Sequence, residues 1–440
     1  MSEADAVASA LATARRDAPL GRERAVWIAI GAILLVLPYV PGLASDFGRS
    51  LLSQMGIAAV FALSFNVLFG QTGLLSFGHA VYFGLGGYAA IHFMRAINHG
   101  LPIPIALVPL AGAASGLVSG LLIGTLTTRR AGTIFALISL GVGELVYAAT
   151  FMLPSIFGGE EGITASRTRA PALFGLDFGS QVQVYYLVAC WALVAAALMR
   201  AFIGTPVGRL CNAVRDNPER AQFIGYDPQR VRFIASAVAG LFAGLAGGLH
   251  AINYEIVAAD AVGAQRSGTV LVMAYLGGTG YFAGPVFGAV VLTWLQTSLS
   301  AYTSAWLLYV GLVFMAVIMF APSGLCGLAV MHGPILRTRA FRRLVASYAV
   351  ALLPAIVMIA GAALMIEMSY RLSTQRELGT VLKFGPVAAD AATVPPWIVG
   401  VLLLAGGFLM FRATWHRVAA TWHAAVVEAA NATSKPLASS

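Results

Sequence analysis

A chain of 440 residues that is 59% hydrophobic and only 10% charged, with a mean hydropathy of +0.83, has too few charges to solvate the surface of a soluble globular domain. Its repeated apolar runs, near or above the ~20 residues needed to cross ~30 Å of hydrocarbon, define an all-α, polytopic membrane protein. The net charge of +9 is a matter of membrane topology rather than of nucleic acid, and Cys190, Cys211 and Cys326 are too scattered for a disulfide framework or a metal site.

Residues 1–24 are polar and Ala-rich, and Arg15, Arg16, Arg22 and Arg24 precede the first apolar run, Ala25 to Val40. The run is long and lacks a cleavage pattern, so it reads as a retained signal-anchor helix rather than a cleaved signal peptide. Further spans are predicted at 50–69, 74–95, 102–127, 131–152, 182–202, 232–252, 268–282, 284–301, 305–321, 344–368 and 396–412. The 268–282 piece is short for a crossing, with re-entry as the alternative, and is counted as crossing. Starting inside and alternating through these spans puts nineteen of the 27 Lys and Arg residues inside and eight outside, in keeping with the positive-inside rule. The expected organisation is a cytoplasmic segment 1–24, a transmembrane domain 25–330 with an inner polar loop at 204–232, and a C-terminal extension 331–440 with two more spans.

Two Gly-rich breaks interrupt the apolar pattern. In residues 62–90, Gly70, Gly73, Gly78, Gly84, Gly86 and Gly87 break a helix pair, and Gln71, Thr72, Ser76 and His79 lie among them. Unwound backbone at membrane depth is tolerated only inside protein or along a cavity, so Gln71, Thr72, Gly73 and His79 are candidates for a translocation path. The alternative is tight packing, with His79 bonded to a neighbouring carbonyl. A similar break carries Gly278, Thr279 and Gly280 and suggests a weak internal repeat. Glu144, inside span five, is a site candidate because an intramembrane carboxylate needs protein or water around it. It serves as a proton relay, as a polar contact in the path, or as a protonated structural group; Gly141 and Gly143 beside it read as a packing face. The largest outer loop holds Gly158, Gly159, Glu160 and Glu161, which form either a solvated linker or a docking mouth.

The longest polar interruption is 204–232, with Arg209, Arg215, Arg220, Arg230 and Arg232 against Asp216, Glu219 and Asp227. Pro206 and Pro218 each open a short predicted helix outside the bilayer, since a first-turn proline loses no needed N–H. Such a loop on the basic side suits a soluble partner. The chain has no phosphate-loop motif, and its only lysines are Lys383 and Lys435, so any ATP must be bound by another chain.

Taken in order, the 62–90 segment, GTIFALISLGVGE, FGGEEG, the 204–232 loop, FIASAVAGLFAGLAGGLHA, LVMAYLGGTGYFAGPVFGA and MFAPSGLCGL resemble the LivM-type permease of branched-chain amino acid ABC importers over about residues 50–330. The resemblance implies an ABC-importer permease fold with broken or re-entrant helices, about ten core spans with the two C-terminal ones in addition, in a bacterial inner membrane. It implies partners: a second, LivH-like permease, two ATPase subunits holding ATP and Mg, and a periplasmic binding protein. No cofactor is implied in this chain. Glu219 to Gly225 stands where such permeases carry an E-A-A-x-x-x-G coupling loop. Ala221 and Gly225 keep its small residues, whereas Arg220 departs from the second Ala and no I-x-L-P tail follows. Arg209, Arg215, Asp216 and Pro218 belong to the same loop. Substrate would pass between the two permeases near Gln71, Thr72, Glu144 and Thr279, and Gly158 to Glu161 would meet the binding protein. The alternative function is an ion-coupled secondary transporter of small polar solutes, which needs paired intramembrane charges or a sodium cage of unwound carbonyls. The substrate stays open among branched-chain amino acids, other amino acids and amides such as urea.

Overall fold

The computed structural model describes residues 20–169, 177–333, 335, 340–374, 379–384 and 387–434. Arg15, Arg16, Arg337, Arg339, Arg376 and Lys435, which entered the charge count, lie outside them. Each predicted span carries a helix. They are α1 (Leu20–Val36), α2 (Asp46–Thr72), α3 (Ala80–Asn98), α4 (Val108–Thr127), α5 (Gly132–Met152), α7 (Gln181–Gly204), α10 (Pro228–Tyr254), α11 (Ala264–Gly277), α12 (Gly284–Tyr302), α13 (Trp306–Phe320), α15 (Ala340–Thr374) and α16 (Val394–Ser434). Four short helices lie between them: α6 (Pro154–Phe157), α8 (Pro206–Asp216), α9 (Pro218–Phe223) and α14 (Gly324–His332).

By length and composition, seven helices among the described residues can cross a membrane, or eight if the pair α13–α14, bent by 50°, counts as one span. At 14 residues α11 covers roughly 21 Å, so the helix alone does not reach across ~30 Å of hydrocarbon. The span expected from residue 74 starts as a helix only at Ala80, because the chain stays unwound from Gly73 to His79.

The chain forms two compact units, one of residues up to Tyr275 with Pro285–Trp294, the other of Leu276–Gly284 and residues from Leu295 onward. The core of the first is α10, packed on α4, α3 and α2. Lipid supplies no hydrophobic drive between helices, so close packing of small residues holds them together. Gly112, Gly116, Gly120 and Gly124 form a stripe along α4, every fourth residue, against Ser236, Gly240, Gly244 and Gly248 of α10. A Cβ on Gly116 would fall on the Gly240 carbonyl oxygen, and one on Gly244 on that of Gly112. Helix α3 joins in the same way, with Gly86 against the backbone of Gly244. Helix α7 packs on α2 and ties down α1, Tyr185 donating to the Leu34 carbonyl at 2.8 Å and Tyr186 to that of Leu35 at 2.9 Å.

In the second unit α15 and α16 form an antiparallel pair of 35 and 41 residues, roughly 52 and 61 Å long and so longer than the hydrocarbon is thick. Gly361 and Gly407 let the two backbones touch near Leu404 and Met358. A two-stranded ribbon, β3 (Val381–Phe384) with β4 (Val387–Asp390), joins their ends. Tyr309 of α13 donates to Glu367 Oε1 of α15 at 2.9 Å, which gives a carboxylate at the end of the predicted 344–368 span a partner.

Candidate translocation and coupling site

The break after α2 is built from hydroxyl groups supplied by distant helices. Gly73 closes α2 in the left-handed region, at φ 72°. Unwound backbone N–H groups inside a membrane protein need partners. Phe77 N–H donates to Ser139 Oγ of α5 at 3.1 Å, and Ala80 N–H, opening α3, donates to Ser267 Oγ of α11 at 3.0 Å. Gly78 lies against the Ser139 carbonyl, where no Cβ would fit, and Gly143 packs on Gly78. Gly141 has nothing within 4 Å, so only Gly143 of the expected packing face packs within this chain. Ser139 and Ser267 are buried and escaped the sequence reading, since a serine within an apolar run carries no distinctive signal.

His79 is wholly buried, 3.0 Å from Ser64 Oγ through Nε2 and enclosed by the rings of Phe61, Phe65 and Tyr82. Its surroundings are those of a packed histidine. The Thr72 hydroxyl is spent on the Leu68 carbonyl of its own helix. Gln71 Oε1 accepts from Asn212 Nδ2 at 3.0 Å, and the Gly70 carbonyl accepts from Arg215 Nη1 at 2.5 Å. Gly73 has the Arg215 side chain 3.1 Å from where a Cβ would stand. Path candidates Gln71 and Gly73 and coupling candidate Arg215 therefore meet at one contact.

Glu144 points outward from α5, exposed beside Leu145, and has no hydrogen-bond or ion-pair partner among the described residues. Gly278, Thr279 and Gly280 lie in the second unit, where Gly278, at φ 101°, caps α11 and abuts the backbone of Ser323 and Gly324. The two breaks share a local form: a left-handed glycine ends one helix, and the next starts at Ala80 or Gly284 after a few residues.

The polar loop at 204–232 folds as its prolines require. Thr205-Pro206, Asn217-Pro218 and Asp227-Pro228 each place a capping side chain before a first-turn proline. Thr205 accepts from Gly208 N at 3.2 Å, Asn217 from Arg220 N at 2.9 Å and Asp227 from Gln229 N at 2.9 Å. Helix α8 seats Gly208, Cys211 and Val214 against α2, α7 and α10. In α9 only Ala221 is buried, whereas Phe223, Ile224 and Tyr226 are 89%, 64% and 47% exposed. Arg209, Asp216, Pro218 and Glu219 are exposed too. Gly225 closes the tip at φ 91° with open space around it. A β-branched residue there is strained by roughly 1–2 kcal/mol. Gly225→Val is expected to lower transport several-fold at normal membrane insertion, measured in vesicles.

Burial pushes the Cys211 thiol up to about 12. Near neutral pH almost no thiolate forms, so Cys211 is expected to resist maleimide in the folded protein and to react once the chain is denatured. Mass spectrometry of labelled peptides checks this.

The loop that follows α6 is anchored, not free. Ile163–Thr164 (β1) pairs antiparallel with Ile256–Val257 (β2). Arg167 N–H donates to Glu255 Oε1 at 2.6 Å, and its Nη1 to the Asn253 carbonyl at 3.1 Å. Arg95 holds the Thr164 carbonyl at 2.9 Å. Gly158 and Gly159 take left-handed turns, at φ 79° and 65°, and leave Glu160 and Glu161 exposed. A cavity of about 360 Å³ opens elsewhere, between Trp27 of α1 and Ala197, Arg200 and Ala201 of α7, and no nominated path residue lines it.

Helices of spanning length, a broken pair closed by buried hydroxyls and a folded polar loop between two spans define a multi-pass membrane protein. The family model described as the permease component of the branched-chain amino acid transport system matches residues 49–322, and the chain belongs to that family. It is 27% identical to the high-affinity branched-chain amino acid transport system permease protein LivM of Salmonella typhimurium, over 67% of this chain and 73% of that one. The LivM protein of Escherichia coli is also 27% identical, over 61% and 67%. A probable branched-chain amino acid transport permease protein LivH of Methanocaldococcus jannaschii is 24% identical, over 65% and 95%. No solved structure matches.

Proposed function

We propose that this chain is the permease subunit of an ATP-driven importer that carries branched-chain or related amino acids from a periplasmic binding protein into the cytoplasm. One observation carries the reading: an otherwise polar inner loop presents three large apolar side chains, Phe223, Ile224 and Tyr226, to solvent at its tip. Uncovered apolar groups on a folded polar element suit the groove of a soluble partner, here an ATPase subunit holding ATP and Mg. No cofactor is assigned to this chain. Closure of the ATPases pulls on α9, α8 moves with it, and the Arg215 and Asn212 contacts pass the movement to the break after α2. An ion-coupled transporter would have no use for such a tip.

The second permease subunit covers the outward face of α5. Glu144 on bare lipid would cost about 2.5–3.5 kcal/mol, and a subunit interface with a polar path removes that cost. On this reading Glu144 belongs to the translocation path, and Thr279 and Gly280 are proposed for it as well. Glu160 and Glu161, on the anchored outer turn, are assigned to the binding protein. The N- and C-termini are assigned to the cytoplasm of a bacterial inner membrane, with residues 25–330 as the permease domain and 331–440 as an extension. Purification of the membrane complex through this chain tests the reading: it should bring down an ATPase and a second permease, and import leucine in proteoliposomes on addition of ATP and binding protein. Accumulation by the isolated chain on an ion gradient alone would overturn it.

A further inference from the structure

Arg266 stands in the first turn of α11 and is half-buried. The next residue, Ser267, caps the start of α3, so the arginine stands where the two broken helices meet. Its guanidinium carbon is 5.0 Å from the centroid of the Phe83 ring, which occupies one face of the cation. Asp260, its ion-pair partner, is 3.8 Å away, beyond hydrogen-bond reach, with a side chain 76% exposed. No described residue hydrogen-bonds the guanidinium. A cation in the first helical turn also opposes the positive end of the helix dipole. Asp260 balances the charge from a distance but leaves the N–H edge without an acceptor among the described residues, so an anion there would gain charge-assisted hydrogen bonds that this chain does not supply. The side chain keeps 30% exposure, so the site is open along one edge. Beyond Phe83 stands an aromatic wall: His250 lies 5.3 Å from Phe83, and Tyr254, 41% exposed, lies 4.5 Å from His250.

A planar fork of N–H donors, held by its face on an aromatic ring with its edge free, matches a carboxylate in shape and charge. We propose that Arg266 receives the carboxylate of the transported amino acid at the α3–α11 junction, with His250 and Tyr254 against its apolar side chain. The proposal rests on the import reading and adds a recognition point inside the permease.

The test measures the unfolding temperature of the complex purified through this chain, without binding protein, in millimolar L-leucine, L-leucinamide or inorganic phosphate. The expected result is stabilisation by leucine and not by leucinamide or phosphate, lost in Arg266→Gln and partly kept in Arg266→Lys. An equal shift with leucinamide or phosphate, an undiminished shift in Arg266→Gln, or no leucine shift in the wild type would overturn it. Should Arg266→Gln not fold, the leucine–leucinamide contrast in the wild type and Arg266→Lys decides alone. Leucine import by the wild-type complex, measured separately, reports on the transport reading, so the two can fail independently.

Discussion

Replacing Phe223 and Ile224 together by aspartate should abolish ATP-dependent import while the chain still inserts and folds. Both side chains are exposed at the tip of α9 and support nothing in this chain, so folding loses little. A partner groove shaped for them would instead receive two charges. Large apolar residues at the centre of an interface are worth about 2 kcal/mol or more each, roughly a thirty-fold change in affinity per residue. Co-purification of the ATPase with the variant, beside its import rate, is the measurement. Unchanged co-purification with unchanged import would remove the docking role of the tip. Pairing the result with Arg215→Ala separates docking from transmission: that variant should keep the ATPase bound and still lose import, because only the Gly70 contact and the neighbouring Asp216 pair are cut.

Gly116→Leu and Gly244→Leu are expected to leave little folded protein in the membrane. At both positions the first added carbon meets backbone of the facing helix, which cannot rotate away as a side chain can. Overpacking a well-packed core costs about 1–3 kcal/mol, and backbone-to-backbone contact puts these variants at the upper end or beyond. Gly311→Ala, in α13, is the control. With nothing within 4 Å it should be neutral, or stabilising by up to roughly 1 kcal/mol as the helix sheds a glycine. Detergent-solubilised yield and thermal unfolding of the three variants give the comparison. Equal loss in all three would point to a general intolerance of these helices rather than to the α4–α10 seam.

The apolar runs and the prolines were legible because each acts locally. Hydrocarbon thickness fixes the length of a span, and a proline with a capping residue before it fixes a helix start wherever the chain goes next. The twelve helices in the predicted spans and the two short helices at Pro206 and Pro218 followed from that. The order of the Gly-rich motifs was enough to suggest the family that the comparison supports. The four-residue glycine stripes of α4 and α10 were also present in the sequence, but a stripe reveals a packing face only when its partner is known.

What the sequence by itself determined is therefore where the apolar helices and the polar loop lie and what kind of membrane protein this is. Only the tertiary structure decided that Ser139 and Ser267 close the break before α3, that Arg215 joins the loop to Gly70, that Arg266 sits on Phe83 and that Glu144 faces outward. Ser267 and Ala80 are 187 residues apart in the chain, and 145 separate Arg215 from Gly70. Contacts of that kind depend on which helix faces are pressed together, a matter of packing in three dimensions that leaves no periodic trace along the chain.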